Sequence, residues 1–182
     1  MAAEENAVYT VAELMALSAR TAPKAKGTDA IVVRIVTGED RLTLAGMMRE
    51  YGEDIGYGFF SRDAENIEAS DVVVIIGAIG RSVLGLDCGG CGYPTCKAMQ
   101  DAQKMVAKAK KPFEGPNCVI RMADLGIAVG SAVKTASMHN VDNRIMFSAG
   151  VAALKLGWME DCYTAYGIPL KGAGKNIFFD RK

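Results

Sequence analysis

A surplus of charge of either sign is missing from this 182-residue sequence, in which 21 Lys and Arg stand against 21 Asp and Glu. Proteins that bind nucleic acid or a lipid surface by charge carry a basic excess that neutralises phosphate. The balance here argues against both partners. No uninterrupted apolar run approaches the ~20 residues of a membrane span. The first ten residues, MAAEENAVYT, are acidic and lack an apolar stretch, so no secretory leader is expected and the expected location is the cytoplasm. Histidine is nearly absent: His139 stands alone and reads as a helix-end polar residue rather than a ligand or base. There is no Ser-His-Asp set, no P-loop and no persuasive carboxylate pair. Disorder is excluded by a chain that is 50% hydrophobic and 23% charged. Such a length buries roughly 70% of the unfolded surface and suits a single domain over 1–182.

What the chain does have is cysteine and glycine gathered in one place. Five cysteines in a chain expected in a reducing compartment point to metal, cluster or redox chemistry rather than disulfides. Cys88, Cys91 and Cys96 fall in the run DCGGCGYPTC and Cys118 follows, giving C-x2-C-x4-C-x21-C. Four thiolates, three close together and one remote, are a common way of holding an iron–sulfur cluster. Wrapping three of them round one face of a cluster needs a tight loop. Gly89, Gly90 and Gly92 allow positive φ and let backbone N–H groups face the sulfides. Thr95 can cap a helix running to about Lys111 with Cys96 in its first turn, where the N–H groups favour an anionic cluster. A zinc site more often shows two C-x-x-C knuckles or a Cys/His set. Zinc is therefore the alternative occupant. Cys162, isolated in a strand pattern, reads as a small buried hydrophobe.

Around this segment, helix and strand patterns alternate. Val11, Leu14, Met15 and Leu17 recur at helical spacing over 10–22, with Thr10 and Glu13 as a capping box and Pro23 as the stop. The runs 30–37, 71–78 and 162–168 read as strands, the second apolar enough to be covered on both faces. A helix opens at Gly38 and is expected to end near Gly52, followed by a glycine- and aromatic-rich loop over 51–60. The stretch 118–138 is a helix apolar on nearly every side, expected in the protein centre or in a homodimer interface. Another helix is expected over 141–156. The fold class is α/β (α+β), a small sheet flanked by helices with the cluster segment, 85–118, inserted. The helix from Lys97 to Lys111 carries five lysines and one aspartate. It presents either a solvated face or a dock for an acidic redox partner protein.

The run CGGCGYPTC resembles the four-cysteine [4Fe-4S] domain of the Rnf complex B subunit and of the large subunit of the corrinoid iron–sulfur protein. The resemblance implies a [4Fe-4S] cluster on Cys88, Cys91, Cys96 and Cys118. The gap of 21 residues before Cys118 is longer here than in that domain. The whole chain, with its ending GIPLKGAGKNIFFDRK, also resembles a family of prokaryotic ferredoxin-domain proteins.

The flanks resemble flavin-dependent nitroreductases. ALSARTAPKAKGTDAIVVRIVTGE is similar to that family's first helix, phosphate-binding turn and first strand, and MADLGIAVGSAVKTAS to its central dimer-interface helix. This resemblance implies a nitroreductase-like homodimer and an FMN whose phosphate faces Arg20, Thr21 and Lys24, with Lys175 closing the site. The family's Arg cluster is reduced here to Arg20 and lysines, and its Asn-x-Gln-Pro-Trp segment is absent. Two functions follow as expectations: an iron–sulfur oxidoreductase passing electrons, to a flavin where one is bound, or a non-catalytic module whose cluster or zinc is structural or redox-sensing.

Overall fold

A computed structural model describes residues 3–105 and 111–179. The elements run α1 (Ala3–Thr21), a single 3-10 turn (Ala25–Gly27), β1 (Ile31–Val36), α2 (Gly38–Ile55), α3 (Phe59–Ala69), β2 (Val72–Ile79), α4 (Cys96–Met105), α5 (Val119–Met138), β3 (Asp142–Asn143), α6 (Phe147–Lys155) and β4 (Cys162–Lys171). The strands form one antiparallel sheet in the order β1-β2-β4-β3.

Strand β2 shows why the sheet sits at the centre. Alternate side chains of a strand point to opposite faces. Val73 and Ile75 join Leu44, Met48, Phe60, Ile67 and Ala149 on the side covered by α2, α3 and α6. Val74, Ile76 and Ala78 join Met15, Leu125, Ala128 and Ile168 on the side covered by α1 and α5. The result is three layers, helix–sheet–helix, as the continuous apolar run of β2 predicts.

Three local expectations are corrected, and a fourth, on α5, is narrowed. Thr10 lies within α1 and its hydroxyl donates to the Asn6 carbonyl at 3.1 Å, so no capping box forms; α1 begins about two turns earlier. The stretch 51–60 is not a loop. Tyr51 and Phe60 are buried, so α2 runs to Ile55, Gly56 ends it at φ 73°, and α3 starts at Phe59. The helix expected over 141–156 starts only at Phe147, because Asp142, Asn143 and Met146 pair with β4 as a short strand and a bridge. Lastly, α5 is buried on one face only. Leu125, Ala128, Val129 and Ala132 pack inward, while Ala123, Gly126, Ile127 and Gly130 are exposed on the chain. The apolar periodicity is broader than the face that one chain covers.

Candidate iron–sulfur site

The chain leaves the sheet after β2 and reaches α4 through a segment in left-handed turns. Gly89 and Gly92 adopt φ 72° and 85°, values that a side chain disfavours. The Gly92 N–H donates to the Gly89 carbonyl at 2.9 Å and closes the turn between Cys88 and Cys91. Gly90 serves another purpose, since a Cβ there would lie 2.6 Å from Val119 Cγ1. Its missing side chain lets the loop press against the start of α5.

Cys96 is the first residue of α4, as its cap predicts. The Ala98 N–H donates to Thr95 Oγ1 at 3.1 Å, and the Cys96 N–H donates to Asp87 Oδ1 at 2.7 Å. The last part of the expected helix, 106–110 with Lys108 and Lys110, lies outside the described residues, and Lys111 is not helical. Cys118 is the N-cap residue of α5 and is 6% exposed. Cys88 is exposed, and Cys91 and Cys96 are half-buried.

All four cysteines line one small cavity with Val83, Met99 and Val119. Two helices start at its edge, α4 at Cys96 and α5 just after Cys118, so the positive ends of two helix dipoles meet there. Among the described residues, no three His, Cys, Asp or Glu side chains converge tightly enough to hold a single ion. Four thiols round one cavity are the donor set that an iron–sulfur cluster takes. The fit also holds chemically, because sulfur donors are soft and Asp87, the carboxylate in the lining, is engaged with the Cys96 N–H.

Residues 85–114 match a family described as a putative Fe-S cluster. Residues 114–181 match the family described as "uncharacterized protein containing a ferredoxin domain". A protein of Archaeoglobus fulgidus is 44% identical over 174 residues, which is 96% of this chain and 91% of its own. The chain belongs to this ferredoxin-domain family. It is an iron–sulfur protein. The cluster match takes in Cys88, Cys91 and Cys96; Cys118 falls in the second match.

The fold is that of the nitroreductases. Nitroreductase CinD from Lactococcus lactis, in complex with nicotinic acid, superposes with a TM-score of 0.56 at 13% identity over 94% of this chain and 84% of that one. The NADPH:FMN oxidoreductase from Vibrio harveyi, complexed with NAD+, gives 0.52 at 10% identity over 95% and 63%.

The other expected site residues are placed as follows. Arg20, Thr21 and Lys24 gather at the C-terminal end of α1. Lys24 is nearly buried, and its ammonium donates to the carbonyls of Ala19, Arg20 and Ala22 at 3.1, 2.6 and 2.9 Å, satisfying groups that a helix end leaves open. Arg20 pairs with Asp29 and donates to the Ile31 carbonyl at 2.5 Å. Thr21 donates to the Leu17 carbonyl of its own helix at 2.9 Å. The segment entering Lys175 packs at the other end of α1, where Gly172 lies against Val8. Val8 and Thr21 are thirteen residues apart on the helix, about 20 Å.

A strap escaped the sequence reading. Arg121 and Asp124, 2% and 3% exposed, form a buried pair at 2.9 Å in the first turns of α5. Arg121 also donates to the Thr28 carbonyl, and Asp124 accepts from the Ala25 N–H. Lys26, between them in the 3-10 turn, donates to the Leu84 carbonyl at 3.1 Å. The turn thereby ties the helix that carries Cys118 to the chain entering the three-cysteine loop. A charged pair spaced i, i+3 in an apolar helix is the signal that could have found it.

Proposed function

We propose that this protein is a redox protein whose Cys88, Cys91, Cys96 and Cys118 hold one [4Fe-4S] cluster and that it passes single electrons as part of an oxidoreductase. The observation that carries the reading is the convergence of four thiols on one cavity edged by two helix N-termini. When bound, such a cluster supplies one-electron transfer at a potential set by hydrogen bonding, charge and solvent exposure. The chain's part is to hold the thiolates, direct helix-end N–H groups at the anionic centre, and leave one edge open at exposed Cys88. Anaerobic purification should yield brown protein with about four iron and four sulfide per chain. Stoichiometric zinc without iron would overturn the reading in favour of a structural module.

The nitroreductase-like fold adds FMN and a homodimer to the proposal. The exposed Ala123, Gly126 and Gly130 face of α5 allows a second copy to approach closely, and light scattering should report a dimer at micromolar concentration. An FMN phosphate at Arg20, Thr21 and Lys24 would exchange the Asp29 carboxylate and helix-end carbonyls for phosphate oxygens. Titration of deflavinated protein, followed by flavin fluorescence, tests this; no saturation at tens of micromolar removes flavin and leaves a cluster-only electron carrier. An acidic redox partner would meet Lys97 and Lys104, which share the single carboxylate of Asp101.

A further inference from the structure

A cleft of about 160 Å³ lies beside the cysteine cavity, lined by Arg81, Gln100, Gln103, Lys104 and Tyr163. Helix α4 is shared between the two: Cys96 and Met99 line the cavity, while Gln100, Gln103 and Lys104, further along the helix, line the cleft. Cys96 and Gln103 are seven residues apart, about 10 Å of helix rise. We propose that this cleft binds a small oxyanion, a carboxylate or phosphate group, through Arg81 and Lys104.

Among the described residues, the lining holds two cations, two carboxamides and a phenol, and no carboxylate. Its polar groups are fixed from behind. The Tyr163 ring sits so close to Gly80 that a Cβ there would fall 1.9 Å from it, which seats the phenol against the end of β2. Arg81 Nε donates to Tyr163 Oη at 3.2 Å. That bond leaves the terminal fork of the guanidinium, the part whose geometry matches an oxyanion. The Gln100 carboxamide donates to the Arg81 carbonyl at 3.1 Å and steadies the backbone beneath it. Gln103 donates to the carbonyls of Gly80 and Pro116 at 2.8 and 2.7 Å, and so braces the cleft against the strand and against the segment two residues before Cys118.

The charge balance favours an anion. Lys97 and Lys104 share Asp101, which leaves one positive charge from that trio beside Arg81. Asp161 and Glu114 act on Arg81 through space, yet neither lines the cleft. An anion held there would sit within two helical turns of the first residue of α4.

Calorimetric titration of the whole, anaerobically purified protein with inorganic phosphate and, separately, with benzoate tests the site without reference to what the cysteines hold. The expected result is saturable binding of at least one probe at about millimolar Kd, weakened about tenfold by Arg81→Gln and severalfold by Lys104→Gln. Arg49→Gln, on the far-off α2, should leave binding unchanged. Saturation by phosphate alone assigns the cleft to phosphorylated ligands, and by benzoate alone to carboxylates. Failure of both probes to saturate by about 50 mM, or equal binding by the Arg81 and Lys104 variants, overturns the proposal. Because Arg81 and Lys104 are exposed side chains, loss of folding does not confound the comparison.

Discussion

Strand β2 and the cysteine segment that follows it are neighbours in sequence and opposites in construction. Seven of the eight β2 residues are buried, packed on both faces by helices. From Gly85 to Ala98 no residue is buried. The strand is held by removal of apolar surface from water, worth about 25 cal/mol per Å². The cysteine segment is held instead by a few directed bonds: Asp87 to the Cys96 N–H, Thr95 at the head of α4, and Lys26 to Leu84. Burial stabilises a strand in any state of the protein. Directed bonds on an exposed loop compete with water and add little each, so under the proposed function ligation of the four thiols would supply most of the ordering there.

The largest break in this contrast comes from removing a ligand. Cys91→Ala should lose essentially all iron, and hydrogen exchange should then rise over 85–95 while β2 stays protected. Equal protection of that segment in the variant and the iron-loaded protein would refute the division. Next in size is the strap. Arg121→Leu leaves the buried Asp124 without its counter-charge and with only the Ala25 N–H as a partner, which costs about 3–5 kcal/mol. Denaturant unfolding should show that loss, and the double change Arg121→Leu with Asp124→Leu should recover much of it. Iron retention should fall with the single change, because Cys118 stands three residues before Arg121.

In the sheet layer, Gly150→Ala places a Cβ 1.9 Å from the Ala165 carbonyl oxygen. A loss of about 3 kcal/mol is expected by thermal unfolding, with iron per folded chain unchanged. Cys162 sharpens the contrast from the other side. Burial, and after it the charge of Asp161, push its thiol up to about 12, so it is neutral at ordinary pH. Cys162→Ala should cost only about 1–2 kcal/mol and leave iron content unaltered, and native protein should resist alkylation at this position.

The smallest effect is one of pH. Burial alone would raise the Asp29 carboxyl, but hydrogen bonds from Arg20 and the Ile31 N–H, with the charges of Arg20 and Lys24, outweigh it and hold it below its usual range. A carboxyl depressed in the folded state adds stability above the ordinary value near 4, and the gain is lost as the pH falls through the folded value. Asp29→Asn should therefore lower stability slightly at neutral pH and leave it unchanged in strong acid.

Much of this architecture was legible in residue order because it rests on local rules. The β-branched runs at β1 and β2 are strands, Pro23 follows the end of α1, and Thr95 caps α4 as its position foretells. Phe60 and Asp142 were misread for a shared reason: aromatic or polar neighbours suggest a loop or a helix start, and distant partners decide otherwise. Phe60 is drawn into a helix by the Tyr51 and Phe147 rings, and Asp142 into a strand by Lys171.

The cysteine spacing by itself pointed to iron and sulfur, with zinc as the alternative, because thiolates at that spacing between glycines have few other uses. It also determined a buried strand at β2, since only a two-faced cover hides such a run. Tertiary structure alone decided three things. It spread the four thiols round one cavity, by pressing Gly90 onto Val119. It paired the exposed Arg20 with Asp29 and committed Lys24 to a helix end, because a buried charge requires partners. And it joined Arg121 and Asp124 to a turn nearly a hundred residues away, a contact that no local pattern encodes because its energy arises only when α5 packs beside α1.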